Sequence, residues 1–232
     1  MDPAELDKIM HALSHDLSAP VRQIRTYGAL LRSTQADDPE AASGHLDAIL
    51  DAATQMDLRL KGLSRLVRLA GADYGAGPTD LGEAIGESLD AAAAEHRSSP
   101  PAVTIPTGHV VAAGRERVVT IFRELFGNSL AVCPAPVLIG IDAAVSGHHI
   151  RVEISDNGPG FGTSDPARAF RVFKRIHPSQ APSGGVGLTL AQRLAEDAGG
   201  SITLGNADER GARVAVSLPM ASAGTRGGTD VG

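Results

Sequence analysis

Ile150-Arg151-Val152-Glu153-Ile154-Ser155-Asp156-Asn157-Gly158-Pro159-Gly160-Phe161 decides how the second half of this chain is read. Ile150, Val152 and Ile154 alternate with polar residues, the period of a half-buried strand, and the strand runs straight into a carboxylate, two glycines and a proline. Asp156 therefore projects from a strand end into space that glycine keeps open. Asp-Asn-Gly-Pro-Gly alone is equally a plain surface turn. A second glycine box, Gly184-Gly185-Val186-Gly187-Leu188, tips the reading toward a binding site. It opens a helix whose apolar face is Leu188, Leu190, Ala191 and Leu194, and glycines at a helix start let backbone amides approach a phosphate. The box is neither a Walker-type loop, lacking the lysine, nor a full dinucleotide fingerprint, lacking the third glycine.

Working outward, Val137 to Ile141, Ile202-Leu204 and Val214-Val216-Leu218 read as further strands. Asp80 caps a helix containing Leu81, Ile85 and Leu89, and Val118, Ile121, Phe122 and Leu125 are spaced for another. The expected architecture is a helical layer over a mixed sheet. In Glu124-Leu125-Phe126-Gly127-Asn128 the two polar ends lie one helical turn apart on the same side. Their oxygens suit magnesium, a hard cation that keeps several waters and bridges phosphates, while Glu124 reads equally as a solvent-facing residue. About twenty residues between the glycine boxes, with Pro166, Pro178, Pro182, Phe170 and Phe173, are too irregular for one element and long for an ordinary connection.

The N-terminal third has a different period. Leu6, Met10, Leu13, Leu17, Pro20, Ile24, Tyr27 and Leu31 alternate by four and three, as do Leu46, Ile49, Ala53, Met56, Leu60, Leu63 and Val67, by three and four. Ser33 to Pro39 reads as a stop and restart, so the runs make a helical hairpin. One hairpin leaves its apolar seams exposed, and two close a four-helix bundle, so a homodimer is expected. Within the first run, Ser14-His15-Asp16-Leu17 puts His15 at the outermost heptad position. Pro20 lacks the N–H that would bond the Asp16 carbonyl, which predicts a bend beside His15.

The 232 residues are 42% hydrophobic with a net charge of −6, ordinary for a globular protein and unfavourable to nucleic-acid binding. No apolar run reaches the roughly 18 residues of a membrane span, and the N-terminus shows no secretory pattern, so a cytoplasmic location is expected. One cysteine, Cys133, excludes an internal disulfide, and its apolar neighbours point to packing. His148-His149 reads as a turn and not a metal site. The expected organisation is a hairpin over 1–72, a hinge linker over 73–79 carrying Gly71 to Pro78 in and around it, an α/β domain over 80–220, and a disordered tail over 221–232.

Ser14-His15-Asp16-Leu17, Glu124 to Asn128, Asp156 to Phe161, Phe173 and Gly184 to Leu188 occur in the order found in sensor histidine kinases, and the chain resembles that family from about Leu6 to Leu218. The resemblance implies a dimerisation and phosphoacceptor hairpin followed by a Bergerat-type (GHKL) ATP-binding α/β sandwich. It implies that His15 is phosphorylated from magnesium-bound ATP, with Asp16 fixing its tautomer, and passes the phosphoryl group to an aspartate of a response-regulator receiver domain. By the same resemblance Asp156 accepts from the adenine amino group and Asn128 holds magnesium. Glu124 is a second ligand or a water-activating residue. Gly158, Gly160, Gly185, Gly187 and Leu188 line the nucleotide. Phe170 to His177 resembles the ATP lid of phytochrome-type kinases, in which Lys174 and Arg175 meet phosphates or form a solvated face.

Two departures bear on activity. The lysine that the family places shortly after its asparagine is absent from Ser129-Leu130-Ala131-Val132-Cys133, and Ala19 stands where a Thr or Asn positions water for dephosphorylating the regulator. The alternatives are a histidine phosphotransfer protein or pseudokinase that docks a regulator without ATP turnover, and a GHKL-fold ATPase. The stimulus is not encoded here: residues 1–72 are used by the hairpin, so a sensory domain is expected on a longer protein or a separate partner.

Overall fold

The computed structural model describes residues 3–33, 38–162, 165–171, 185–207 and 210–222. They form two compact units. The first is built on the described residues up to Ala72, and the second takes most of the remainder from Asp73 onward.

The first unit is built on two long helices, α1 (Pro3–Ser33) and α2 (Pro39–Ala70), packed against each other. Asp38 caps α2 by accepting from the Ala41 amide at 3.0 Å, and Pro39 follows at the first helical position, where a missing N–H costs nothing. Pro20 lies inside α1 and is buried. The Tyr27 and His45 rings meet across the two helices, centroids 5.8 Å apart. On α2 the buried positions are Ala52, Gly62 and Leu66. Leu46, Ala53, Leu60 and Val67 of the expected seam are exposed, as a single hairpin leaves them. The helix carries two apolar stripes, and the small residues Ala52 and Gly62 sit on the buried one.

In the second unit, α3 (Leu81–Glu95), α4 (Arg115–Val132) and α5 (Gly187–Asp197) accompany a four-stranded sheet of β3 (Ile139–Ser146), β4 (His149–Asp156), β5 (Ser201–Asn206) and β6 (Ala212–Pro219). The strand order is β3-β4-β6-β5. All three pairings are antiparallel, which corrects the expected mixed sheet. β4 and β5 do run in the same direction across the α5 crossover, but β6 inserts between them, a split βαβ arrangement. Register places Ile141, Ile154 and Val214 in one row and Ile150 beside Leu218, so the apolar side chains share one face. Leu81, Ile85, Val118, Ile121, Phe122, Phe126, Leu190 and Leu194 complete the core. The opposite face carries Glu153 between Arg151 (3.1 Å) and Arg213 (3.2 Å).

β3 begins at Ile139 and not at Val137. The Asn157 side chain donates to the Pro136 carbonyl (2.9 Å) and accepts from the Leu138 amide (3.0 Å), taking the groups a strand start would use. A two-stranded sheet of Thr79–Asp80 (β1) with Val110–Val111 (β2) is too short to be read from periodicity. Asp80 caps α3 as expected, accepting from the Glu83 amide at 3.0 Å. The tail beyond Ser222 lies outside the described residues.

The segment after Gly71 is bound to the second unit through Tyr74, which is 7% exposed. The Arg117 guanidinium lies 5.1 Å from its ring centroid, and a methyl group at Gly114 would run into the Tyr74 and Gly75 carbonyls. Tyr74→Ala should therefore cost the second unit about 3 kcal/mol in urea unfolding followed by circular dichroism, the scale for truncating a buried aromatic. Tyr74→Phe, which keeps the ring, should stay within about 1 kcal/mol. An alanine variant as stable as the parent contradicts the anchor.

Candidate nucleotide site

Asp156 ends β4 and is 9% exposed. Burying a carboxylate costs several kcal/mol, roughly, unless its oxygens are satisfied. Here Oδ1 accepts from the Gly158 amide at 3.0 Å and the Ala212 amide at 2.9 Å, and Oδ2 accepts from the Ser129 hydroxyl at 2.7 Å. The three donors come from three places in the chain: the turn after β4, the first residue of β6, and α4. Gly211 makes this approach possible, with φ +111 and a position where a methyl group would fall onto the Asp156 carbonyl oxygen.

The turn after Asp156 is fixed from outside. Phe161 donates its amide to Asn206 Oδ1 at 2.7 Å, and Gly160, at φ +71, sits against Asn206 and the Gly211 carbonyl. Gly158 lies against Asp156 and the Cys133 thiol. Cys133 is thus not in the purely apolar setting its sequence neighbours suggested. Burial, then the charge of Asp156 and a hydrogen bond to it, push the thiol up to about 12. It stays protonated beside the carboxylate.

On α4, Glu124 is 7% exposed and is therefore not a solvent-facing residue. Its carboxylate faces Gly187, the first residue of α5, where a methyl group would meet Glu124 Oε2, and Arg123 lies 3.9 Å from Oε1. Asn128, one turn further on, is half-buried. Leu188 is half-buried in the first turn of α5, and Gly185, two residues before that helix, has φ +70. The second unit therefore gathers Glu124, Asn128, Asp156, Gly158, Gly160, Gly187 and Leu188 on α4, the β4 turn and the start of α5.

The remaining expected residues are distributed differently. His15 and Asp16 lie in α1, with their side chains outside the described residues. Lys174, Arg175, Phe173 and Gly184 also lie outside the described residues, as does most of the expected lid. Its described part is a short 3-10 turn, Pro166–Phe170, tied to α5 by the Thr189 hydroxyl donating to the Phe170 carbonyl at 2.8 Å. Sequence reasoning missed Ser129, Asn206 and Gly211 as supports of the site, since each acts through a contact distant in sequence.

Residues 113–222 match the family described as histidine kinase-, DNA gyrase B-, and HSP90-like ATPases. That match spans just under half of the chain. Relatives matched over most of the chain are named histidine kinases. It is 29% identical over 221 residues to the methanogenesis regulatory histidine kinase FilI of Methanothrix harundinacea, covering 93% of this chain and 25% of that protein. It is 26% identical over 214 residues to the sensor-like histidine kinase SenX3 of Mycolicibacterium smegmatis, covering 89% of this chain and 56% of that protein. The chain thus spans from a quarter to about half the length of these relatives. Among solved structures, full-length ShkA in complex with AMPPNP superposes with a TM-score of 0.56 at 22% identity, over 96% of this chain and 47% of that one. Among the described residues, no helix is long and apolar enough to cross a membrane.

The thiol beside Asp156 gives a direct check of the site's electrostatics. With its titration near 12, native Cys133 should react with iodoacetamide at pH 8 at least about a hundredfold more slowly than in urea, because only the thiolate attacks. Equal native and unfolded rates by mass spectrometry contradict the Cys133–Asp156 contact.

Proposed function

We propose that the chain is the catalytic core of a two-component sensor histidine kinase, which phosphorylates His15 from magnesium-bound ATP and passes the group to an aspartate of a response-regulator receiver domain. The observation that carries the reading is the buried Asp156 carboxylate, held by Ser129, Gly158 and Ala212 inside an ATPase-family domain. An acceptor-only group suits the exocyclic amine of adenine. The solved structure of full-length ShkA, similar in fold, is a complex with AMPPNP, which supports an adenine nucleotide here.

Magnesium fits the donors present. Glu124 supplies a carboxylate and Asn128 an amide oxygen one helical turn away, with the other positions left to water and phosphate. Among the described residues no group of three metal-binding side chains occurs, so the pair matches a cation shared with a triphosphate and not one caged by protein. When bound, the ion neutralises charge on the phosphates. The chain's own residues do the rest. Asp156 orients the base, and the N-terminus of α5 at Gly187 offers amides and partial positive charge to phosphate. Asp16 holds the His15 imidazole in one tautomer, leaving the other nitrogen as nucleophile. In the transfer, the bond between the γ-phosphorus and its bridging oxygen breaks, a phosphorus–nitrogen bond forms on His15, and ADP leaves. Catalysis on this account is positioning and charge stabilisation.

The reading also assigns motion and assembly. On this reading the linker from Gly71 to Pro78 is the hinge, with Tyr74 held on the side of the second unit. Leu46, Leu50, Leu60 and Val67 of α2 and Val21 and Leu30 of α1 are exposed apolar residues, the kind of surface a second hairpin covers in a four-helix bundle. One observation favours a docking protein without ATP turnover, the missing lysine in residues 129–133, and incubation with labelled ATP separates the two.

Leu50→Asp, which places a charge on a residue 56% exposed, should convert a homodimer to monomer by light scattering while leaving helix content unchanged. A dimer that survives this substitution, or a parent that is monomeric, contradicts the bundle. For the reaction itself, incubation with γ-labelled ATP and magnesium should give a product stable in alkali and lost in acid, absent from His15→Gln. Label undiminished in His15→Gln, or no label in the parent, contradicts the kinase reading.

A further inference from the structure

The geometry around Asp156 assigns a role to Ser129. We propose that Ser129 is a positioning residue that sets selectivity for a 6-amino purine over a 6-oxo purine. The proposal rests on the reading of Asp156 as the base acceptor.

A carboxylate offers about four acceptor positions. At Asp156 the two on Oδ1 are filled by the Gly158 and Ala212 amides, both donors fixed by the backbone. Oδ2 takes the Ser129 hydroxyl at 2.7 Å, a charge-assisted length. The remaining competitor is the Cys133 thiol, whose hydrogen bond to Asp156 is the weakest kind in the set. A ligand N–H therefore has one position it can win, on the oxygen whose direction Ser129 fixes.

Ser129 is 4% exposed on α4, so it holds Oδ2 from a rigid element. Its single proton is committed to the carboxylate, and toward anything else the hydroxyl can only accept. An amino group at purine position 6 meets acceptors with donors. A carbonyl at that position meets acceptors with an acceptor, and one of the two partners is charged. Removing the hydroxyl leaves Oδ2 with a donor missing on the α4 side, free to turn or to take a water, and both edges then become more nearly equal. No other side-chain hydroxyl of the described residues bonds this carboxylate among the contacts above, and Ser129 does not touch the residues assigned to magnesium through any of them.

The test uses the full chain and two probes, ATP and inosine triphosphate, titrated by calorimetry into the parent, Ser129→Ala, Ser129→Thr and Asp156→Ala. The parent should favour ATP strongly. Ser129→Ala should weaken ATP about tenfold, on the scale of one charge-assisted hydrogen bond, and leave inosine triphosphate nearly unchanged, so their ratio falls by about the same factor. Ser129→Thr keeps the hydroxyl and should retain the ratio. Because the comparison is between two ligands on one protein, a general loss of stability lowers both affinities and does not imitate the result. An unchanged ratio in Ser129→Ala, with the ratio abolished in Asp156→Ala, overturns the role of Ser129 and leaves the Asp156 reading intact. An unchanged ratio in Asp156→Ala overturns the Asp156 reading itself.

Discussion

A carboxylate cannot be buried without partners, and that constraint organises the second unit around Asp156. Its hydrogen bonds reach α4 through Ser129, the following turn through Gly158, and β6 through Ala212. Each donor stands on a separately folded piece, so helix, turn and strand must all be in place before the charge is satisfied. The sheet order serves this arrangement, since β6 inserts beside β4 and brings Gly211 and Ala212 to the carboxylate at its end. Two main-chain amides and one hydroxyl thereby make Asp156 a fixed, directional acceptor.

The first unit obeys a simpler constraint. Its helices pack through Ala52, Gly62 and Leu66 on one side of α2, and leave Leu46, Leu50, Leu60 and Val67 uncovered. Two apolar stripes on one helix are the pattern of a bundle with more than one neighbour. The same hairpin carries His15, so in the proposed reaction assembly and phosphoryl acceptance belong to one unit. The second unit begins with its own anchor at Tyr74.

Legibility in the sequence followed the range of the interactions. Helix α3 and its Asp80 cap, and the strands β4, β5 and β6, were readable because period and capping are local. Glu124, Asn128, Asp156 and the glycines were readable because they stand in compact motifs at set spacing. The antiparallel sheet was not, because a β4–α5–β5 succession looks parallel until β6 is known to come between. Nor was the side of α2 that faces α1, since a heptad pattern of leucines does not distinguish one covered stripe from two. Ser129 and Cys133 were invisible as neighbours of Asp156, separated from it by more than twenty residues that give no local sign of the contact.

The central claim is that an adenine nucleotide binds between α4, the turn after Asp156 and the first turn of α5. Amide hydrogen exchange, measured by mass spectrometry with and without AMPPNP and magnesium, tests it most directly. The account predicts slowed exchange in 124–133, 156–162 and 187–194, with 201–206 and 139–146 little changed. Protection confined to other parts of the chain, or none at saturating nucleotide, contradicts it.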